Sequence, residues 1–327
     1  MSVMRIVVMG TGQFAVPTFQ ALIDSDHEIA ALITRPPVRG RKASQQPPNP
    51  MRNAAQRHQI TVYDPPSINS TDAAALLKEL AADLYVVCDY GQILSRRTLG
   101  TSRLGGINLH GSLLPKYRGA APVNWAIYNG DRFTGVTVIH MTPKLDGGPC
   151  LAKQELEIAE NDTALELELR LAALGPSLVL HSIEILASWD GQSAIGEKQD
   201  PQQTTQAPRL QKADGQVDWS RTAEQICYQI RAFKPWPGTF AFMQRDQVEP
   251  LRLIIDQATW KKTSGNEPPG TITLVSQTEL GVQAGDSTLM IERVQPAGKR
   301  VLDIEEFIRG YAPRVGQTFI QAPRDAN

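Results

Sequence analysis

The stretch RIVVMGTGQFAVPTFQALIDSDHEIAALIT, residues 5–34, decides the fold. Arg5–Gly10 is a short apolar run closed by glycine, the pattern of a strand buried on both faces of a parallel sheet. Phe14–Asp24 follows with helical spacing, and Ile29–Thr34 is a second apolar run, so the chain opens β-α-β. Working outward, Ala73–Ala82 is expected as a helix, and Leu84–Cys88, Gly106–Leu109 and Val136–Met141 as further strands. Residues 163–187 carry seven leucines between Leu165 and Leu180, and propensity and length favour one long helix there. The segment 190–208, rich in Pro and Gln and nearly free of apolar residues, is expected to link residues 1–189 to a second domain, 209–327. Beyond it come a helix over Thr222–Phe233, the proline-bracketed turn KPWPGTF, and three short strands, Leu251–Ile255, Gly270–Val275 and Thr288–Val294. Short strands between Gly and Pro turns point to a small β-barrel.

A length of 327 residues suits two domains, and the 41% hydrophobic content excludes a disordered or fibrous chain. No apolar run reaches the roughly 20 residues of a membrane helix, and the N-terminus lacks the pattern of a signal peptide. Cys88, Cys150 and Cys227 stand far apart and form neither a disulfide framework nor a metal cluster, so a cytoplasmic protein is expected. The net charge of −1 gives no general affinity for nucleic acid. One segment departs from that average. Between Arg35 and Tyr63 lie Arg35, Arg39, Arg41, Lys42, Arg52 and Arg57, with no acidic residue, which makes this stretch the first candidate to meet phosphates.

Gly10-Thr-Gly12-Gln-Phe-Ala15 matches the dinucleotide pattern GxGxxA after a strand. An NADP-dependent oxidoreductase could use it, with Arg35 on the 2′-phosphate. The second strand, however, ends Thr34-Arg35-Pro36-Pro37 without the acid of a ribose pocket, and a tight glycine turn explains the motif equally. The stretch Asn108-Leu-His110-Gly-Ser-Leu-Leu-Pro-Lys-Tyr-Arg-Gly-Ala-Ala-Pro122 is more informative. Two residues apart at a strand end, Asn108 and His110 share a face. Histidine transfers protons or donates hydrogen bonds near neutral pH, and an Asn amide can donate to a developing oxyanion. Asp146, in the turn Lys144-Leu-Asp-Gly-Gly-Pro149, can return beside His110 if their two strands are neighbours, where it would fix the imidazole. His27, His58, His140 and His181 are expected to be structural or surface residues.

The pattern Asn108-x-His110-x-Ser112-Leu-Leu-Pro115-x-Tyr117-Arg118-Gly119, with Leu145-Asp146-x-Gly148, resembles the signature of the folate-dependent formyltransferase superfamily. Gly215-x-Val-Asp-Trp219 and Arg231-Ala-Phe-Lys-Pro-Trp-Pro-Gly238 resemble the second domain of its members that act on aminoacylated initiator tRNA. The resemblance runs from Arg5 to about Val315. It implies an α/β, Rossmann-like domain with a mostly parallel sheet, plus a small C-terminal OB-like barrel that holds tRNA. It further implies transfer of the formyl group of 10-formyltetrahydrofolate to the α-amino group of methionyl-initiator tRNA, by a monomer needing no metal. Asn108, His110 and Asp146 match the catalytic triad. Ser112, Leu113, Leu114 and Pro115, with Asp89, Tyr90, Gly91, Ile93 and Leu94, map onto the folate pocket. Arg35, Arg39, Arg41 and Lys42 map onto the loop that enters the acceptor stem, with Arg39 as the base-pair reader, and Lys212 is expected to join them from the second domain. Gly12 stands where the family has proline and Asp89 where it has alanine, and the loop around Arg39 is shorter than usual. Relatives with the same triad formylate amino-sugar nucleotides or hydrolyse the folate, so these remain alternative activities.

Overall fold

A computed structural model describes residues 3–37, 49–263, 265 and 267–320. Contacts divide the chain into two units. The first comprises Met1–Val123, Phe133–Ile158 and Glu166–Pro208. The second comprises Asn124–Arg132, Ala159–Leu165 and Arg209–Asn327.

The first unit is built on a seven-stranded sheet. In chain order its strands are β1 (Arg5–Gly10), β2 (Glu28–Ile33), β3 (Val62–Tyr63), β4 (Leu84–Cys88), β5 (Gly106–His110), β7 (Phe133–His140) and β8 (Cys150–Glu157). A two-residue strand, β6 (Arg118–Gly119), pairs instead with β9 (Gln206–Ala207). The sheet order is β3-β2-β1-β4-β5-β7-β8. The first five strands run parallel, β7 returns antiparallel to β5, and β8 pairs antiparallel with β7 and so runs with the first five. β1 and β4 are almost wholly buried, as their uninterrupted apolar runs require. Strand order reverses between β1 and β4, and ligands of open α/β sheets bind outside the carboxyl ends of strands at such a point.

Local chemistry sets the helix boundaries. After a 3-10 turn, Gln13–Ala15, α1 (Val16–Ile23) has proline in its first turn and buries Thr18, Phe19 and Leu22. Asn49 caps α2 (Pro50–Arg57) by accepting from the Arg52 amide, and Ser70 caps α3 (Thr71–Glu79) in the same way. Two short helices follow, α4 (Arg96–Leu99) and α5 (Pro122–Tyr128). The single helix expected over 163–187 is two, α6 (Ala164–Ala172) and α7 (Gly175–Ala187), meeting at 41°. Pro176 lacks the amide that would continue the first helix and suits the first turn of the second. Gly175 lets α7 lie close on α1 and β5, since a Cβ there would approach Leu109 Cδ2 to 2.5 Å and Thr18 Oγ1 to 2.6 Å. Among the described residues no single helix is long and apolar enough to cross a membrane.

The second unit is an antiparallel sheet curled around two helices. α8 (Ala223–Ala232) starts with a Thr222/Gln225 capping box. The strands are β10 (Phe240–Arg245), β11 (Val248–Lys261), β12 (Ile272–Val275), β13 (Leu280–Gln283), β14 (Thr288–Pro296), β15 (Leu302–Asp303) and β16 (Phe319–Ile320), with α9 (Ile304–Tyr311) before the last. Their order is β12-β13-β14-β11-β10-β16, with β15 beside β14. A bridge between Thr271 and Thr318 draws the two edges together, so little unpaired edge is left exposed. The expected barrel strands at Leu251, Gly270 and Thr288 are present, and β10, β13, β15 and β16 complete the sheet. Ile226 and Ile230 of α8 share one core with Leu253, Ile255, Leu289, Ile291 and Phe307 of α9. Gln229 is buried there, but its amide donates to the carbonyls of Asp214 and Gln216, so no donor is stranded.

Segment 190–208, read as a linker, is ordered on the first unit. Glu197 bridges Cys150, residues Pro201–Gln203 form a 3-10 turn, and β9 pairs with β6. Phe307 is fully buried and stacked on Tyr311. Phe307→Ala should therefore destabilise the second unit by about 3–5 kcal/mol. Hydrogen exchange will check this, with protection lost at β11 and β14 amides and kept at β1 and β4.

Candidate active site

Asn108 and His110 leave β5 on one face, while Leu109 between them turns into the core. β5 pairs antiparallel with β7, His110 opposite Thr137 and Asn108 opposite Ile139. β7 runs into the turn carrying Asp146, so the adjacency on which the sequence reading depended is present. The Asp146 carboxylate lies 3.8 Å from His110 Nδ1, and these side chains are only 11% and 7% exposed. Asn108 Nδ2 donates to Asp146 Oδ1 at 3.4 Å, and the Gly119 amide donates to Oδ2 at 2.9 Å.

The other imidazole nitrogen is committed elsewhere. His110 Nε2 is 2.7 Å from the Tyr117 carbonyl, which can only accept, so Nε2 carries a proton. The nitrogen His110 turns toward Asn108 and Asp146 is therefore Nδ1. When Nδ1 is also protonated, it presents an N–H beside the carboxylate.

Asp146 adopts φ 45°, which a non-glycine residue holds only where its surroundings compensate. Gln199 supplies that compensation. Its Nε2 donates to the carbonyls of Asp146 and Gly148, both at 2.7 Å. Its Oε1 accepts from Arg118 Nε and Nη2 at 3.0 and 2.6 Å. The buried guanidinium thus fixes which end of the amide faces the Asp146 turn. Gly119, at φ 132°, allows this close approach, because a Cβ would sit 2.3 Å from the Ala207 carbonyl. Thr137 Oγ1 donates to the Ser112 carbonyl and accepts from the Leu114 amide, while Thr205 Oγ1 accepts from the Tyr117 amide. Gln199, Thr137 and Thr205 were absent from the sequence reading. A glutamine in a polar low-complexity stretch carries no periodic or motif signal for a contact 53 residues away.

The remaining expected positions divide. Of the folate set, Ser112, Leu114, Leu94 and Tyr90 are buried, and Ser112 Oγ is spent on the Lys116 carbonyl. Leu113 and Pro115 are half-buried and Ile93 is exposed. The Tyr90 hydroxyl is buried without a partner among the described residues. Arg35 is not a free surface cation, for its Nε donates to the Tyr90 carbonyl at 2.9 Å and its guanidinium lies over Gly91. Lys212 is exposed in a 3-10 turn of the second unit. Arg39, Arg41 and Lys42 lie outside the described residues. His140 Nε2 donates to the Leu104 carbonyl and its ring meets Trp189 edge-on, a structural role as expected.

The glycine turn after β1 also has an explanation. The Gly12 amide donates to the Asp89 carboxylate, and a Cβ at Gly12 would stand 1.7 Å from Asp89 Oδ2. A protein carboxylate therefore takes the amide that a dinucleotide pyrophosphate would need. The two departures from the family pattern, Gly12 and Asp89, fit one another, since proline has neither the room nor the N–H. Asp89 is exposed as a residue, while its carboxylate is flanked by the Gly12 amide and by Arg35. Desolvation pushes its carboxyl above the ordinary range, opposed by Arg35 and Gly12. Glu168 of α6 is pushed up too, by desolvation and then by the Asp89 charge.

Comparison with known proteins agrees with this geometry. The formyl transferase family model matches residues 4–183, and the formyl transferase C-terminal domain model matches 209–312. The methionyl-tRNA formyltransferase of Rhodopirellula baltica is 44% identical over 327 residues, covering 97% of each chain. That of Hydrogenovibrio crunogenus is 39% identical, covering 93% of this chain and 95% of its own. Two solved structures share the fold. The N-formyltransferase of Helicobacter canadensis in complex with folinic acid and dTDP-3-aminofucose has a TM-score of 0.63 at 17% identity, covering 90% of this chain and 100% of its own. HypX of Aquifex aeolicus in complex with tetrahydrofolic acid has 0.60 at 15%, covering 98% and 51%.

Because the fold favours the neutral form of Glu168, its ionisation costs stability once the pH rises above the ordinary value of 4.5. Glu168→Gln should be more stable than the parent at pH 7.5, with the gap closing as the pH falls toward 4. Urea midpoints across that range will check it, and a gap independent of pH would contradict the assignment.

Proposed function

Because this chain belongs to the formyl transferase family, we propose that it moves the formyl group of 10-formyltetrahydrofolate onto the α-amino group of methionyl-initiator tRNA. The observation that carries the reading is the convergence of Asn108, His110 and Asp146 at the end of β5, in a chain similar over nearly its full length to methionyl-tRNA formyltransferases.

The neutral substrate amine attacks the formyl carbon and the carbonyl electron pair moves onto oxygen. Asn108 Nδ2–H and His110 Nδ1–H donate to that oxyanion, a preorganised contribution of a few kcal/mol. Nδ1, rather than Nε2, fills this role because Nε2–H is held by Tyr117. Asp146 takes the proton released by the attacking nitrogen, directly or through one water. The tetrahedral centre then collapses, the bond to N10 breaks, and N10 leaves with a proton returned from the same pair. The nucleophile belongs to the substrate, so the protein need form no covalent intermediate. Gln199 and Arg118 act as positioning residues, since they hold the Asp146 turn and touch no reacting atom.

Leu113, Pro115 and Ile93 offer apolar edges for the pterin, and Asp89 offers acceptors for its amino and ring N–H groups. The acid-free stretch 35–63 supports an RNA acceptor over an amino-sugar nucleotide, which would not need it. In this reading residues 1–189 form the catalytic domain and 209–327 the tRNA-binding domain, with Lys212 and the Arg39 loop contacting the RNA. Residues 190–208 join them and also brace the site.

Asn108→Ala, His110→Ala and Asp146→Ala should each lower kcat by roughly 10²-fold or more, while the KM for the folate donor changes little. Steady-state formyl transfer will measure this, and near-parental turnover in any of the three would remove that residue from the mechanism.

A further inference from the structure

An open groove of about 560 Å³ runs between α1 and α2, lined by Gln13, Val16, Pro50, Asn53, Gln56 and Arg57. The established family and the triad do not account for it. Its lining has an unusual chemistry, with three amides and one guanidinium against only two apolar residues. All four polar side chains are exposed, and among the described residues they make no hydrogen bond or ion pair. The charge of Arg57 is not cancelled in sequence either. The first acid after it, Asp64, is held by Arg52 at 2.5 Å.

Its position ties it to the reacting end of the sheet. The turn Gln13–Ala15 has one residue on each side: Gln13 lines the groove, while Phe14 faces the strand end next to His110. A Cβ on Gly111 would lie 3.5 Å from Phe14 Cζ. α2 is seated on the same edge, because Met51 packs against Gly10 at the end of β1. The groove therefore begins one short turn away from the catalytic strand, at the carboxyl ends of the parallel strands, and follows α2 over its eight residues to Arg57.

We propose that this groove receives unpaired nucleotides at the 3′ end of the aminoacylated RNA. The proposal rests on the function assigned above. The amine to be formylated is esterified to the terminal ribose, so bringing it to Asp146 brings the preceding nucleotides to the neighbouring surface. A guanidinium with no ion-pair partner among the described residues takes a phosphate, and amides that both donate and accept match ribose hydroxyls and base edges. The volume is that of a small-molecule site, which suits single-stranded nucleotides rather than a duplex. Arg57, Asn53, Gln56 and Gln13 thus set affinity for the RNA without touching the chemistry.

The test uses the full chain with Arg57→Glu, Arg57→Lys and the double variant Asn53→Ala/Gln56→Ala, all at exposed positions. Arg57→Glu should raise the KM for methionyl-tRNA roughly tenfold, with kcat at saturating RNA and the donor KM unchanged. It should also flatten the dependence of log K on log salt by about 0.7, the value of one single-strand phosphate contact, whereas Arg57→Lys retains the slope. The double variant should raise the RNA KM and leave the slope unchanged. A parent that formylates the RNA normally, with Arg57→Glu matching it in KM and salt slope, overturns the groove assignment and leaves the function standing. A rise in the donor KM instead would give the groove to the anionic tail of the folate and also overturn it. A parent that formylates no RNA removes the function and this proposal together.

Discussion

The site depends on keeping one carboxylate, that of Asp146, nearly buried beside an equally buried imidazole. A buried carboxylate is costly unless its oxygens are met by donors, and here the Gly119 amide and the Asn108 amide meet them. Each of these partners has its own structural condition. Gly119 must approach Ala207 closely, and its place is fixed by the pairing of β6 with β9. The turn must hold a positive φ at Asp146, and Gln199 secures it only because Arg118 orients the amide. Polar satisfaction around one charge thus explains why a segment with almost no apolar residues lies ordered on the first unit.

The parallel sheet supplies the frame and the antiparallel return supplies the third residue. β5 ends among the parallel strands and presents Asn108 and His110, while β7 runs back beside it and delivers the Asp146 turn. A further parallel strand reached through a crossover helix would not bring a tight turn to that place. Beside this centre, at the β1–β4 switch, Gly12, Arg35 and Asp89 meet around the loop that starts at Asp89. That cluster closes the amide-lined turn to pyrophosphate and leaves a carboxylate at the crevice.

Much of this was legible in the sequence where burial is continuous. β1 and β4 are apolar throughout, so their boundaries were evident, and the spacing of Asn108 and His110 gave their common face. Asp146 was legible only conditionally, because its role required β5 and β7 to be neighbours. β8 leaves only a weak trace because half of its residues are exposed and dilute the apolar pattern. The break between α6 and α7 was hidden by an uninterrupted leucine series, although Pro176 marks it. Arg35 was legible as a cation but not as the partner of a backbone carbonyl, and Gln199 was not legible at all. Long-range hydrogen bonds from single polar residues leave no periodic trace.

The central claim is the identity of donor and acceptor together. Its most direct test is formyl transfer from 10-formyltetrahydrofolate, with methionyl-initiator tRNA, an amino-sugar nucleotide and water supplied as competing acceptors. Formylmethionyl-tRNA as the dominant product is the result expected. Release of tetrahydrofolate without formylated tRNA, or no turnover of the donor at all, would contradict the account.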